Sequence, residues 1–148
     1  MPENISGFNT EIDLISSVTY PNGINLTQFP EDTDAIDSPS IQIANARMGL
    51  NGDLIVNSVA NPIEASISLI ANSDDDFLLG RLFEANRAAR GKNVAYDLID
   101  LTLYLPNGDT TTLINGVITD GMPMNSITVD SGLKTKTYTF KFENKAFA

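Results

Sequence analysis

The stretch 62-PIEASISLIANSDDDFLLGRLFE-84 contains the change of periodicity that decides the fold. From position 63 to position 70, apolar residues alternate with small or acidic ones, which is typical of a β-strand with one buried face. After Ser73 the apolar residues recur at intervals of three and four, which indicates an amphipathic helix. The sequence therefore predicts a strand that runs directly into a helix.

Three consecutive aspartates, Asp74 to Asp76, follow the predicted helix start. Consecutive side chains on a helix diverge by about 100°, so these carboxylates do not converge on a metal ion. Ser73 is predicted to be the N-cap, and acidic residues in the first turn complement the helix dipole. The stripe continues to position 90, where basic residues and Gly91 indicate the end of the helix.

The composition excludes several classes of function. The chain has 148 residues, which predicts a single domain over residues 1–148, with a flexible N-terminus at about residues 1–8. It contains neither Cys nor His, which excludes disulfides, thiol nucleophiles and His-dependent triads. The sequence begins without a signal-peptide pattern and contains no apolar run of membrane-spanning length, so we expect cytoplasmic synthesis and no membrane contact. No cofactor-binding motif is present, and no cofactor or metal is expected.

The charge is negative and unevenly distributed. The formal net charge is −10, and residues 1–76 hold 12 acidic side chains but a single basic one, Arg47. Phosphate groups would be repelled by such a chain, which argues against stable nucleic-acid binding. A carboxylate-only hydrolase that used Asp97, Asp100 or Glu64 stays open as an alternative, although we expect no enzymatic activity.

Most of the remaining sequence predicts antiparallel β-structure. Segments rich in β-branched and aromatic residues are bounded by Gly, Pro, Asn or Asp; they lie at 11–20, 25–29, 40–47, 54–59, 63–70, 94–105, 110–119, 127–129 and 134–143. Leu105-Pro-Asn-Gly-Asp109 is a hairpin turn signal between two long strands. The sequence therefore predicts a mainly β fold, an antiparallel β-sandwich or incomplete barrel with one α-helix inserted mid-chain.

An acidic segment bracketed by prolines, residues 30–39, is predicted to be a polar loop. Its spacing of Asp32, Asp34 and Asp37 is similar to a calcium-binding loop, but the required glycine and the bidentate glutamate are absent. A solvated or partner-contacting loop is the better interpretation.

The order of these features resembles the tail tube protein family of contractile-tailed bacteriophages. The resemblance rests on "IDSPSIQIANARMGLNGDLIVNSV", on "PIEASISLIANSDDDFLLGRLFE", on the hairpin "VAYDLIDLTLYLPNGDTTTLINGVITDGMP" and on the final strand "TKTYTFKFEN". Membership would imply hexameric rings that stack into a hollow tube inside a contractile sheath. It would also imply a virion tail protein, assembled in the bacterial cytoplasm, with sheath, baseplate and tape-measure proteins as partners and genomic DNA only in transit.

Two sets of residues are candidates for contacts in such a tube. The polar faces of two strands are small and acidic, and they are predicted to line the lumen through Glu11, Asp13, Glu64, Ser66 and Ser68. A solvated outer surface is the alternative for these residues. Contacts between subunits or between rings are predicted at the acidic loop and the hairpin tip, through Asp32, Asp34, Asp37, Leu105 and Asn107.

Two other functions stay open at this point. One is the tube of an R-type bacteriocin or a type VI secretion machine, which would have the same fold and a different cargo. The other is a carbohydrate-binding β-sandwich, which predicts a monomer with exposed aromatic residues near its loop tips; the absence of Trp disfavours it.

Overall fold

The computed structural model describes residues 10–30, 35–106, 108–125, 127–128, 132–133 and 135–146. Within these ranges the elements are β1 (Glu11–Ser16), β2 (Ile24–Leu26), β3 (Ile36–Asp37), β4 (Ala44–Met48), β5 (Leu54–Ser58), β6 (Ile63–Leu69), α1 (Asp74–Asn86), β7 (Ile99–Tyr104), β8 (Thr110–Asp120), β9 (Ile127–Thr128), β10 (Gly132–Leu133) and β11 (Lys136–Lys145). The prediction of a mainly β fold with one helix inserted mid-chain is confirmed over the described residues.

A seven-stranded antiparallel sheet, in the order β2-β1-β7-β8-β11-β6-β3, forms the body of the protein. The two sides of this sheet approach each other: the backbone N–H of Ile70, just after the penultimate strand β6, donates to the carbonyl of Gln28, just after the edge strand β2, at 3.1 Å. A sheet whose edge regions are linked in this way is strongly curled. The architecture is therefore an incomplete barrel, whose inner face is closed by α1.

The core fills the inside of the curled sheet. Its buried side chains come from alternate positions of the strands and from one face of α1: Ile12, Leu14, Leu26, Ala65, Ile67, Leu69, Leu79, Leu82, Ile99, Leu101, Leu113, Tyr138, Phe140 and Phe142. Phe140 and Phe142 stack at a ring distance of 6.2 Å, and Phe83 meets Tyr138 edge-on at 6.4 Å. Because the buried positions alternate, the intervening residues of each strand form the outer face of the sheet.

The helix begins where the sequence predicts. Ser73 is the N-cap, and its hydroxyl accepts a hydrogen bond from the backbone N–H of Asp76 at 3.2 Å. The aspartates have more specific roles than dipole compensation. The Asp75 carboxylate accepts from the backbone N–H groups of Thr27 and Gln28, so it attaches the helix to the segment after β2.

Asp76 is buried inside the barrel and has three partners. Its carboxylate accepts from the hydroxyl of Tyr138 at 2.9 Å and the backbone N–H of Asn72 at 3.0 Å, and it pairs with Lys136 at 3.5 Å. Burial raises the pKa of Tyr138, and the hydrogen bond to Asp76 and the charge of Asp76 raise it further. The phenol is therefore a permanent hydrogen-bond donor to this carboxylate.

The predicted helix end at position 90 is wrong, since α1 ends at Asn86 and its last turn contains no basic residue. The reason is a tertiary contact. The Asn86 side chain donates to the Asp97 carboxylate at 2.8 Å and accepts from the Asp97 backbone N–H at 2.9 Å. The backbone N–H of Ala95 also donates a hydrogen bond to the carbonyl of Ala85. The returning chain therefore takes the positions that another helical turn would need.

Asp97 joins three parts of the fold. Besides Asn86, its carboxylate accepts from the backbone N–H groups of Val18 and Thr19 and from the Thr19 hydroxyl, at 2.6–2.8 Å. Burial acts to raise the pKa of Asp97, but these hydrogen bonds to the ionised form outweigh burial and lower it. The ionised carboxylate is therefore part of the native structure.

We expect Asp97 to make the fold sensitive to acid. Because the folded pKa lies below the unfolded value of about 3.9, the stabilisation is complete above that value and is lost as the pH falls through the folded pKa. Asp97→Asn should cost about 1–3 kcal/mol near neutral pH, because it removes a charged acceptor from several partly buried donors. Urea unfolding of both proteins between pH 2 and pH 7 tests this. The difference in unfolding free energy should shrink at low pH, and a pH-independent difference would contradict it.

Three differences from the predicted strands have local causes. The predicted acidic loop at 30–39 contains β3, which pairs with β6 and extends the sheet by one short strand. β1 ends at Ser16, because the next residues turn to donate to Asp97. β7 begins at Ile99 and not at position 94, because the preceding residues return from the helix.

Candidate functional site

The outer face of the seven-stranded sheet carries all five residues predicted to line a lumen. Glu11 and Asp13 lie on β1, and Glu64, Ser66 and Ser68 lie on β6. Three strands separate β1 from β6, so these residues form two groups on one surface and do not meet at a point. Ser68 is only 4% exposed, which leaves Glu64 and Ser66 as the accessible members of the β6 group.

Short hydroxyl side chains cover much of this outer face. They pair across neighbouring strands: Thr102 with Thr112 at 3.3 Å, Ser66 with Thr139 at 3.1 Å, and Ser68 with Thr137 at 3.1 Å. Cross-strand pairs of this kind satisfy one another and stabilise a sheet that faces water. The result is a polar surface with short side chains along these strand pairs.

Acidic groups dominate the charge of the outer face. Carboxylates on this face include those of Glu11, Asp13, Asp37, Glu64, Asp100 and Asp120, whereas Lys141 supplies an ammonium group. The excess is greatest at β1. There desolvation raises the pKa of Tyr104, and the neighbouring Asp13 and Glu11 raise it further. A negative potential therefore extends over this part of the sheet.

A second feature is the hairpin formed by β4 and β5. These strands pair only with each other among the described residues, and all ten of their residues are exposed. A tight turn at Gly49-Leu-Asn-Gly-Asp53 connects them, with Gly52 at φ +87°. At about 3.3 Å per residue, each arm extends about 17 Å from the body. We call this element the projecting hairpin.

The register of the projecting hairpin defines two faces. One contains Ala44, Ala46, Met48, Leu54 and Val56, and we call it the aliphatic face. The other face contains Arg47 opposite Ile55, and we call it the arginine face. At its base, the backbone N–H of Val59 donates to the carbonyl of Ile43. Met48 is 65% exposed and Ile43 is 72% exposed. Neither face is covered within the part of the chain that the structure describes.

The predicted contact residues between subunits lie apart from one another. Asp37 is on the edge strand β3 beside Ser66. Leu105 lies at the β7–β8 turn, where its N–H donates to Asp109 and its carbonyl accepts from Gly108. Asp32, Asp34 and Asn107 lie outside the described residues. The hairpin turn itself is confirmed, and the contacts stay a prediction.

The carboxylates of the described residues do not form a group that could hold a metal ion. Asp75 and Asp76 are adjacent in sequence, but they are directed at different partners in the fold. None of the described helices is both long and apolar enough to cross a bilayer.

Sequence reasoning did not identify the projecting hairpin as a separate element. Its two strands have the composition of core strands, with Leu54, Ile55 and Val56 in succession. The signal that was available is that β5 has apolar residues on both faces. This pattern fits either complete burial in a sheet or an exposed element that is covered by a partner.

Comparison with known proteins gives one family and a set of related folds. A family model described as "Tail fiber protein gp32" matches residues 3–146. A search of curated proteins finds no match. The sheath/tube terminator of an extracellular contractile injection system (PVC), in its extended state, has a TM-score of 0.55 and 11% identity, covering 99% of this chain and 96% of that one. The tube-terminating cap of the anti-feeding prophage has a TM-score of 0.53 and 10% identity, covering 99% of this chain and 91% of that one.

At 10–11% identity the structural likeness concerns the fold. The family match covers most of the chain, and it agrees with the sequence resemblance in pointing to a tail protein. The family match does not specify a tube protein, so the resemblance to tail tube proteins is confirmed only in that the chain is a phage tail protein. The chain belongs to the tail fiber protein gp32 family.

Proposed function

We propose that the protein is a structural tail subunit that assembles with copies of itself into rings, which stack into a tube with a lumen for DNA. The observation that carries this proposal is the projecting hairpin. Its aliphatic face exposes Met48, Leu54 and Val56 to water, far from the core. A contiguous apolar surface of this kind is normally covered by another protein.

The family and the related folds support a role in a contractile tail. The family description names a tail protein, and the two related structures are named as a tube terminator and a tube-terminating cap. In this role the partners are further copies of the chain, the sheath, the baseplate and the tape-measure protein. The site of action is the virion tail, after assembly in the bacterial cytoplasm. The role is structural and not enzymatic.

The outer face of the sheet suits the wall of the lumen. Its hydroxyl side chains are short and paired, so they leave space for a duplex. Its carboxylates, repeated around a ring, would form bands of negative charge to which phosphates do not adhere. Glu11 and Asp13 would form one band, and Glu64 would form another beside the hydroxyl of Ser66.

Charge reversal tests the assignment of the lumen. In tubes that carry Asp13→Lys and Glu64→Lys together, we expect DNA to bind in a salt-dependent manner and ejection of the genome to slow down. The matched control is Asp74→Lys with Glu84→Lys, which makes the same change of charge on the helix. Filter binding across a salt series and an ejection assay measure the effect. Normal ejection with unchanged DNA binding would refute the lumen assignment while leaving the tube intact.

A tube terminator is the second candidate, because both related structures are terminal components and match this chain over almost its full length. Negative-stain electron microscopy of the purified protein distinguishes the two. Tubes of open-ended length support the tube subunit, and rings that do not stack support a terminator. A monomer at millimolar concentration would refute both and favour the carbohydrate-binding alternative.

A further inference from the structure

An exposed apolar patch lies beside the acidic part of the outer face. It consists of Ile15, Val18, Tyr96 and Leu98, with the carboxylate of Asp100 at its border, and we call it the anchor patch. Val18 and Leu98 are each 58% exposed. Two hydrogen bonds between Ser17 and Leu98 join the two segments at 3.0 Å, and Ile15 lies opposite Asp100 in the β1–β7 register.

The backbone holds this patch in a fixed shape. Tyr96 has φ 53°, a left-handed conformation that a bulky residue adopts only when its surroundings impose it. The residues on either side are fixed by hydrogen bonds. The backbone N–H of Ala95 donates to the carbonyl of Ala85, and the backbone N–H of Asp97 donates to the side-chain oxygen of Asn86, both at 2.9 Å. The ring itself is 80% exposed. A strained backbone therefore presents an aromatic ring to solvent in a preorganised position.

The arginine face of the projecting hairpin is complementary to this patch. It presents two exposed aliphatic side chains, Ile43 and Ile55, and the guanidinium of Arg47. Arg47 is the single basic residue among residues 1–76. A guanidinium stacks on an aromatic ring and pairs with a carboxylate, and the anchor patch provides both groups within an aliphatic border.

We propose that the arginine face of one copy docks on the anchor patch of a neighbouring copy. Ile43 and Ile55 pack against Val18 and Leu98, while Arg47 stacks on Tyr96 and pairs with Asp100. The occupant is a second copy because both surfaces, with their opposite charges and exposed aliphatic side chains, are present on the same chain. This inference rests on the proposed ring assembly, since it names the contact that joins neighbouring subunits.

Disulfide cross-linking tests the contact directly. The chain contains no cysteine, so Ile55→Cys with Leu98→Cys introduces the only two thiols. Oxidation of assembled rings should produce a ladder of linked subunits on a non-reducing denaturing gel. Each single-cysteine variant should run as a monomer on the same gel. The matched control pairs Ile55→Cys with Phe77→Cys, which lies on a different exposed apolar site, and should produce no ladder.

The outcomes separate this contact from the assembly itself. Rings without a ladder from the 55–98 pair, or a ladder from the 55–77 control pair, would overturn the docking inference and leave the ring proposal standing. The absence of rings in the unmodified protein would overturn the proposed function, and the docking inference with it.

Charge exchange provides a second measurement. Arg47→Glu should raise the concentration needed for assembly by at least about tenfold, which is the loss expected for a desolvated ion pair. Asp100→Lys in the same chain should recover most of that loss. Arg90→Glu makes the same change of charge away from the hairpin and should have little effect. Asp100→Lys also removes the hydrogen bond from the backbone N–H of Asn115, so thermal unfolding must first show that the double variant is folded. If the folded double variant assembles no better than Arg47→Glu, the proposed pairing of Arg47 with Asp100 is wrong.

Discussion

Met48→Asp combined with Val56→Asp is expected to keep the protein monomeric at concentrations where the unmodified chain assembles. Both side chains lie on the aliphatic face of the projecting hairpin, where they are exposed in the single chain. The substitutions therefore cost little in the monomer. An interface that covered this face would have to bury two unpaired carboxylates, at a cost of several kcal/mol each.

The control for this prediction is Ala89→Asp with Asn93→Asp, two exposed positions beyond the helix. It adds the same two carboxylates and should assemble normally. Light scattering gives the oligomeric state, and thermal unfolding establishes that both variants are folded. Rings or tubes from the Met48→Asp, Val56→Asp protein would show that the aliphatic face is not an interface, and would remove the main support for the proposed function.

Gly116→Ala is expected to cause a large loss of stability, because its added methyl group has the shortest contacts found among the glycines that the structure describes. A Cβ at this position would lie 2.2–2.9 Å from three atoms of the Phe142 ring. Phe142 is buried and stacks on Phe140, so movement of its ring would disturb the packing of the core. Overpacking a well-filled core costs about 1–3 kcal/mol, and we expect at least the upper end of that range here.

The position of Gly116 follows from an irregularity in the sheet. The register between β7 and β8 shifts between Ile99 and Leu101, and Asn115 adopts φ 54° at that point. The backbone N–H of Asn115 donates to Asp100 at 3.1 Å. This bulge places Gly116 directly opposite Phe142 on the neighbouring strand, where only a hydrogen fits beneath the ring.

Gly80→Ala is the matched control for Gly116→Ala. Its added Cβ would lie 3.4 Å from the Tyr138 hydroxyl, an ordinary contact, and alanine favours the helix by about 1 kcal/mol. We therefore expect Gly80→Ala to be neutral or stabilising. Urea unfolding compares the two proteins, and a loss below about 1 kcal/mol for Gly116→Ala would show that the Phe142 ring can move.

Local patterns in the sequence determined where the helix begins and which strand faces are buried. Ser73 followed by the leucine stripe identifies the helix start, because capping and the 3.6-residue period act within a few residues of each other. The alternation of Tyr138, Phe140 and Phe142 with polar residues likewise identifies the core face of β11. For the same reason, the polar faces of β1 and β6 could be recognised as surface from sequence alone.

Contacts between residues far apart in sequence were decided only by the tertiary structure. The helix ends at Asn86, whose side chain donates a hydrogen bond to the Asp97 carboxylate. The curl of the sheet is held by the hydrogen bond from the Ile70 N–H to the Gln28 carbonyl, and the Asp75 carboxylate attaches the helix to the N–H of Thr27. These contacts join residues more than ten positions apart, so no local sequence pattern predicts them. The projecting hairpin shows the same limit, because its apolar strands have the composition of core strands, and only the fold leaves them outside the core.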